Sequence, residues 1–174
     1  DFPFKIGEKY RKCGSKAMRG VVFHGDRELE LMQFPDPSPD VHDVVIEMKA
    51  SGMCGSDLHQ YRRPTNQTQS SGIPMRDGPV IAGHEPCGVV VAIGSAVGPQ
   101  EARVGQRVMV HHYDGCRTCR HCRSGWTQYC PNGRKAYGGN ADGAHAEFMR
   151  VAVHTLIPLP DSLSFNTGAA ISCG

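Results

Sequence analysis

The stretch "GVVVAIG", residues Gly88–Gly94, is a short apolar run bounded by glycines, and it is a strand candidate. Similar short apolar runs, separated by Gly, Pro, Asp and Asn, recur on both sides of it. The further strand candidates are Val21–Phe23, Leu29–Met32, the alternating Val44, Ile46, Met48 and Ala50, Arg107–Val110 and Ala146–Val151. Strands this short at such spacing favour a sandwich or a partly open barrel, so we predict a mainly β fold.

The sequence contains few helical signals, and residues 1–17 and 62–79 show no strand pattern. A short helix is predicted from Ser56 to about Tyr61, and another from near Ser164. Residues 62–79 contain almost no core-forming side chain, which predicts a surface loop. Residues 1–17 show no clear period and are interpreted as an extension or an expression remnant, with Cys13 an incidental thiol. Residues 18–174 are then the domain.

Composition excludes several classes of protein. The chain has 174 residues, 39% hydrophobic and 21% charged, with a formal net charge of +2. A charge this small does not favour nucleic acid or an acidic membrane, and no apolar run is long enough for a membrane span. No secretory signal is recognisable at the start, so the eight cysteines favour metal binding in the cytoplasm over disulfides.

Four of these cysteines lie in "GCRTCRHCRSGWTQYC", residues Gly115–Cys130, with the spacing C-x2-C-x2-C-x7-C. Four thiolates so close together suit a tetrahedral structural zinc site without an open position. An iron–sulfur cluster is the main alternative, since Pro131 follows Cys130 as in a bacterial ferredoxin, but the gap of seven residues is too long. Disulfides or inert thiols remain a third interpretation. The predicted ligands are Cys116, Cys119, Cys122 and Cys130.

The residues around this lobe are basic. Residues 103–135 contain seven Lys or Arg and a single acid, Asp114. Arg117, Arg120 and Arg123 lie next to the cysteines, where they are expected to offset the excess thiolate charge. The alternative, a nucleic-acid surface, lacks interleaved aromatic residues. Trp126 and Tyr129 are expected to form a small apolar base for the lobe.

A second group of metal-binding residue types is dispersed along the chain. Cys54 lies in "SGMCGSDLH", His84 in "AGHEPCG" and Cys173 in "GAAISCG". Each residue alone is more typical of a packed core. Together, two thiolates and one imidazole leave a fourth position for water or substrate, as in a catalytic zinc site.

At this point the chain resembles a known family. From about Met18 to Gly174 it is similar to the N-terminal, GroES-like catalytic domain of the zinc-containing alcohol dehydrogenases, in the medium-chain dehydrogenase/reductase family. The motifs that carry the resemblance are "CGSDLH", "GHEPCGVV", the four-cysteine spacing, "DGAHAEF" and "IPLPDSLSF". The resemblance implies a mostly antiparallel, partly open β barrel with short helices and a four-cysteine zinc lobe.

The resemblance also implies roles for single residues. Cys54, His84 and Cys173 match the ligands of a catalytic zinc. Glu85 matches an acid that approaches the metal when ligands exchange, or else accepts a hydrogen bond nearby. Asp57 matches the carboxylate that orients the ligand histidine, and a cap on the helix after Cys54 is the alternative, which can hold at the same time.

Two further residues match a proton path. Ser56 matches the hydroxyl that bonds the substrate oxygen, and His59 matches the group that passes a proton towards solvent. The alternatives are a helix N-cap for Ser56 and an ordinary surface position for His59. Gly55 departs from family members that place a basic residue there to meet the phosphates of the cofactor. His111 and His112 are expected to be structural or to lie at a substrate rim, and Cys87 to be a buried small residue.

The function that the resemblance implies is reversible oxidation of an alcohol to an aldehyde or ketone, with hydride transfer to NAD or NADP. It implies two zinc ions, a small-molecule alcohol or carbonyl substrate, and a homo-oligomer for the full-length enzyme. No G-x-G-x-x-G motif occurs in these residues, so we expect the Rossmann domain to lie beyond the chain and the 174 residues alone to be inactive. The alternative is a non-catalytic zinc-binding or interaction module.

Overall fold

The structure is a computed structural model and describes residues 5–6, 17–66 and 76–173. Its helices are α1 (Gly55–Arg62), α2 (Arg120–Arg123) and α3 (Phe165–Ile171), and two 3-10 turns span Thr127–Tyr129 and Val153–Thr155. Its strands are β1 (Lys5–Ile6), β2 (Ala17–Gly25), β3 (Glu28–Pro35), β4 (Asp43–Gly52), β5 (Glu85–Ile93), β6 (Arg107–Val110), β7 (Tyr113–Asp114), β8 (Lys135–Ala136), β9 (Phe148–Ala152) and β10 (Leu156–Pro158). This confirms the prediction of a mainly β fold with short helices.

The main sheet is antiparallel and is centred on β5. Its strand order is β10-β6-β5-β4-β9, and β1 also pairs with β5. Gly88 of β5 lies opposite Met48 on one side and Val108 on the other. A Cβ at Gly88 would come within 2.2 Å of the Glu47 carbonyl oxygen, so the close approach of β4 requires glycine here. Two separate two-stranded sheets, β2–β3 and β7–β8, complete the strands of the described residues.

The central strands are covered on both faces. Every residue of β5 is buried. Val44 and Ile46 of β4 face one apolar cluster, which contains Val90, whereas Val45 faces a second cluster that includes Val91. The alternation predicted for β4 is therefore incomplete, because the β2–β3 hairpin covers the face that a half-exposed strand would leave polar.

The turn of the β2–β3 hairpin anchors α1. Gly25, Asp26 and Arg27 all have positive φ, as a tight hairpin turn requires. The Asp26 N–H donates to the Arg63 carbonyl at 2.8 Å, and the Thr65 hydroxyl donates to the Asp26 carboxylate at 2.6 Å. The end of α1 is thus tied to a hairpin that is distant in sequence.

Helix α3 packs on the main sheet through Cys87. A Cβ at Gly168 would lie 2.5 Å from the Cys87 sulfur and 2.9 Å from Leu159, so the helix approaches closely only because residue 168 is glycine. The Cys87 side chain is fully buried, as predicted, and burial raises the pKa of its thiol to about 11. Cys87 therefore acts as a small apolar contact.

Some of the predicted segments lie outside the described residues. Of the predicted extension, the structure describes Lys5 and Ile6, which pair with β5, and Ala17, where β2 begins; Cys13 lies outside. Of the predicted loop 62–79, residues 67–75 lie outside the described ranges. In the described part of the chain, no helix combines the length and the apolar character needed to cross a membrane.

Candidate metal centres

The first candidate centre is the four-cysteine lobe between β7 and β8. The sulfurs of Cys116, Cys119, Cys122 and Cys130 all lie within 4.8 Å of one another. A Cβ at Gly115 would come within 2.6 Å of the Cys122 sulfur, so glycine lets the chain pass close behind the cluster. The predicted four-cysteine lobe is confirmed as a cluster of thiols close enough to share one ion.

Short-range hydrogen bonds orient these sulfurs. The Cys116 sulfur accepts from the Cys119 N–H at 3.3 Å, from the Asn132 amide at 3.3 Å and from the Thr118 hydroxyl at 3.4 Å. The Cys119 sulfur caps α2 by accepting from the Cys122 N–H at 3.4 Å. The donors are thus backbone groups and short polar side chains from the lobe itself.

The charges of the lobe follow from this arrangement. The hydrogen bond from Thr118, with further donors, lowers the pKa of Cys116 to about 5. Desolvation and contact with the neighbouring thiols raise the pKa of Cys122 to about 12. Four sulfurs this close cannot all ionise at neutral pH without a cation, and a divalent ion would remove that conflict.

One expectation about the lobe needs correction. Trp126 and Tyr129 are 56% and 60% exposed, so they form no buried base. Their rings pack on each other at 6.2 Å on the surface, because the lobe is too small to enclose them. Arg117, Arg120 and Arg123 are exposed, and their effect on the thiolate charge stays a prediction.

The second candidate centre brings together donors from three distant segments. One ligand atom from each of Cys54, His84, Glu85 and Cys173 lies within 4.8 Å of the others. Cys54 precedes α1, His84 and Glu85 lie at the start of β5, and Cys173 follows α3. The structure therefore assembles in one place the dispersed residues that sequence singled out.

The imidazole of His84 is oriented by a buried carboxylate. Its Nδ1 lies 3.1 Å from Asp57 Oδ1, and Asp57 is only 2% exposed. Because a carboxylate only accepts, Nδ1 is the donor, and Nε2 points to the Cys54 sulfur at 3.1 Å. The hydrogen bond to Asp57 raises the pKa of His84 to about 9, against the opposing effect of burial.

Asp57 also caps α1. Its second oxygen accepts from the Cys54 N–H at 3.0 Å, while the Cys54 side chain accepts at the start of the helix, forming a capping box. The capping and orienting interpretations of Asp57 thus both hold. Burial opposes ionisation of Cys54, but hydrogen bonds from Ser56 and the adjacent His84 ring outweigh it and lower the pKa of this thiol.

Ser56 and Glu85 lie directly at the donor cluster. The Ser56 hydroxyl is 3.0 Å from the Cys54 sulfur and 3.3 Å from His84 Nε2. Glu85 is 6% exposed, and a Cβ at Gly52 would clash with its Oε2 at 1.9 Å. Glycine at residue 52 therefore provides the space that the Glu85 carboxylate occupies.

The other predicted positions lie near the donor cluster but make fewer contacts with it. His59 lies one turn after Ser56 on α1 and is exposed, and within the described chain no hydrogen bond joins the two. The His112 ring is 5.2 Å from that of His84, which places it beside the cluster. A Cβ at Gly55 would meet open space, so the departure from a basic residue there is not sterically forced.

Sequence analysis gave no role to His145, although it contacts the same region. Its Nδ1 lies 2.7 Å from the Ser51 hydroxyl, and its ring occupies the space that a Cβ at Gly83 would need. The available signals were the motif "DGAHAEF", which contains His145, and the glycine beside His84 in "AGHEPCG". They could not reveal which ring packs there.

Comparison with known proteins now adds to this geometry. Residues 40–161 match the family described as "Alcohol dehydrogenase GroES-like domain". The chain belongs to the zinc-type alcohol dehydrogenase family. Its GroES-like fold and the resemblance seen in the sequence are thereby confirmed.

Individual relatives agree with that assignment. This GroES-like domain is 40% identical to the zinc-type alcohol dehydrogenase-like protein YphC of Escherichia coli (strain K12), over 91% of the chain and 45% of YphC. It is 33% identical to a sorbitol dehydrogenase of Bacillus subtilis (strain 168), over 88% of the chain and 42% of that enzyme.

A solved structure shows the same fold. The acetophenone reductase of Geotrichum candidum NBRC 4597, in complex with NAD, matches with a TM-score of 0.75 and 33% identity, over 90% of this chain and 44% of that one. The chain thus spans less than half the length of the relatives that it matches.

Proposed function

We propose that the chain is the catalytic zinc domain of a longer NAD(P)-dependent enzyme that reversibly oxidises an alcohol or polyol to an aldehyde or ketone. The observation that carries the proposal is the convergence of Cys54, His84 and Cys173, with Glu85 beside them, from three remote segments. The substrate class follows the zinc-type family and its sorbitol dehydrogenase member.

The donors fit zinc. Two thiolates and one imidazole form the type of three-ligand set that leaves a position open for substrate. The imidazole presents Nε2 because Asp57 holds Nδ1, which is the usual partner arrangement of a metal-bound histidine. Cys54, His84 and Cys173 would hold the ion, with Glu85 available as a further carboxylate. Zinc bound there would supply a Lewis acid that lowers the pKa of a hydroxyl group.

The chain's own residues would handle the proton and the substrate oxygen. The Ser56 hydroxyl, within hydrogen-bonding distance of both the Cys54 sulfur and His84 Nε2, can hydrogen-bond an oxygen that enters the cluster. His59, one turn further and exposed, is the proposed exit of the proton to solvent. The hydride acceptor would be a nicotinamide bound by the part of the enzyme beyond this chain. Cytoplasmic location and homo-oligomerisation remain predictions.

In the lobe, Cys116, Cys119, Cys122 and Cys130 would hold a second zinc that stabilises the fold. Elemental analysis of the purified chain tests both assignments, because it should contain two zinc ions, and Cys54→Ser should contain one. A wild-type chain with a single zinc in the lobe would favour the alternative, a non-catalytic zinc-binding module.

Activity measurements test whether this domain needs a separate cofactor domain for alcohol oxidation. The 174 residues alone should show no NAD(P)-dependent alcohol oxidation above that of Cys54→Ser. Turnover well above that control would contradict the need for a separate cofactor domain.

A further inference from the structure

Of the donors of the second metal site, Cys173 is the most remote in sequence. Its position depends on the segment that contains α3. After β10 the chain turns through residues 159–164, forms α3 and reaches Cys173 two residues later. Because α3 is short, its direction is fixed where it starts and where it packs. Whatever holds that start also determines where the Cys173 sulfur lies.

The side chain of Arg107 holds this start. Arg107 is the first residue of β6, and its guanidinium donates to the carbonyls of Pro160, at 3.0 Å, and Leu163, at 2.5 Å. Its Cζ lies 4.5 Å from the centroid of the Phe165 ring, in the first turn of α3. The Leu159 N–H returns a hydrogen bond to the Arg107 carbonyl at 3.0 Å.

These contacts use properties that only arginine has. A planar guanidinium can donate to two carbonyls and stack on an aromatic ring at the same time, whereas a lysine ammonium cannot. The nearby ion pair with Asp161 contributes little, because that carboxylate is 99% exposed. The carbonyl and ring contacts are therefore what fixes the turn.

We propose that Arg107 is a positioning residue for the second metal site, which fixes the start of α3 and thereby brings Cys173 to Cys54 and His84. The middle of the helix is held separately by Gly168 against Cys87. With both points fixed, α3 has one direction. This inference rests on the proposed function, since it requires that the cluster binds a metal ion.

Cobalt titration of the metal-free chain under reducing conditions tests the proposal, because thiolate-to-cobalt charge-transfer absorption increases with the number of sulfur ligands. The wild type should show the four sulfurs of the lobe together with those of Cys54 and Cys173. Arg107→Met should lose the contribution of one sulfur and bind cobalt at the second site at least about 10-fold more weakly. The spectrum of Arg107→Met should match that of Cys173→Ser. The variant that carries both substitutions should lose no more charge-transfer absorption than Cys173→Ser alone.

Matched variants separate positioning from general stability. Arg150→Met is the matched control, because Arg150 also contacts a carbonyl, that of Ser38, and two carboxylates, those of Asp40 and Asp43. None of these contacts involves α3, so the variant should bind cobalt at both sites like the wild type. Arg107→Lys should behave like Arg107→Met, and Asp161→Asn like the wild type.

The outcomes are distinguishable. If the wild type shows all the sulfur ligands and Arg107→Met keeps both its sulfur count and its affinity, the Arg107 proposal is wrong and the proposed function stands. If the wild type shows only the lobe, both are wrong. Should Arg107→Met fail to fold, Phe165→Leu, which removes the ring contact with Arg107 but keeps an apolar side chain at the same position, should weaken the second site by about 3-fold. No change there would overturn the proposal.

Discussion

The four sulfurs of the cysteine lobe lie within residues 116–130, whereas the donors of the second site come from residues 54, 84–85 and 173. In the lobe, each orienting hydrogen bond to Cys116 or Cys119 comes from the lobe itself, mostly from residues two or three positions away. In the second site, Cys54 and His84 meet because β4 pairs with β5, with Gly52 opposite Glu85. The donors of the lobe are brought together by their spacing in the sequence, whereas those of the second site are brought together by the tertiary structure.

This difference predicts different sensitivities. A change inside the lobe should affect its own metal and leave the sheet intact. A change in the sheet or in the helices that flank it should affect the second site first. Variants that separate the two responses therefore test the comparison directly.

The largest effect is expected from Cys130→Ser, which removes a buried sulfur of the lobe. The variant should contain one zinc ion instead of two, and its melting temperature should fall, because structural zinc contributes on the order of 10 kcal/mol to the folding of small sites. Elemental analysis and thermal unfolding measure both quantities. The second site should keep its zinc in the folded protein.

Cys87→Ala is the matched control, because Cys87 is a buried cysteine outside both clusters. It should retain the zinc of the lobe. Loss of the second zinc from Cys130→Ser under conditions where the protein stays folded would show that the two sites are not independent.

The next effect in size is expected from Asp57→Asn. Asparagine can still accept from the Cys54 N–H and cap α1, but it no longer offers a carboxylate to His84. Zinc affinity of the second site should fall by about 10- to 100-fold, while the lobe is unchanged. Competition with a chelator of known affinity measures this.

Asp114→Asn provides the control, since Asp114 is also buried and lies 2.9 Å from a histidine, His154. That pair lies away from the second cluster, so its loss should leave the zinc affinity of that site unaltered. Equal effects of the two substitutions would mean that Asp57 acts only through general stability.

A smaller effect is expected from Gly168→Ala on α3. Alanine favours a helix by up to about 1 kcal/mol, but its Cβ would clash with Cys87 and Leu159, which costs about 1–3 kcal/mol. We expect a net loss of about 1 kcal/mol in the free energy of unfolding. In a Cys87→Ala background only the contact with Leu159 remains, so the loss should become smaller, and denaturant unfolding of all four proteins measures the coupling. Additive effects would contradict the close contact.

The same contrast explains how much the sequence could predict. The lobe follows from the spacing of its cysteines. Residue types grouped Cys54, His84 and Cys173, and the resemblance to the family assigned them to a catalytic zinc and added Glu85. Periodicity located most of the strands, and the weak helical signals at Ser56 and Ser164 correspond to α1 and α3.

What could not be predicted depends on tertiary packing. The burial of Val45 depends on a hairpin that covers the second face of the sheet. The exposure of Trp126 and Tyr129 depends on the small size of the lobe, and the contact of His145 with Ser51 joins residues far apart in sequence. Arg107, at the start of the predicted strand "RVMV", carried no local signal, because its partners are carbonyls of a segment about fifty residues further along.

The smallest effect is expected from Thr118→Val, which removes one hydrogen bond to the Cys116 sulfur. This sulfur keeps the Cys119 N–H and the Asn132 amide, and Thr118 is exposed, so the loss should be only about 0.5–1 kcal/mol, or a few-fold in metal affinity. Asp57→Asn changes the carboxylate partner of His84 Nδ1 and should cost clearly more at its own site. Chelator competition on both variants gives the ratio. If Thr118→Val lowered the metal affinity of the lobe as much as Asp57→Asn lowers that of the second site, the several donors to the Cys116 sulfur would not explain the difference between the two sites.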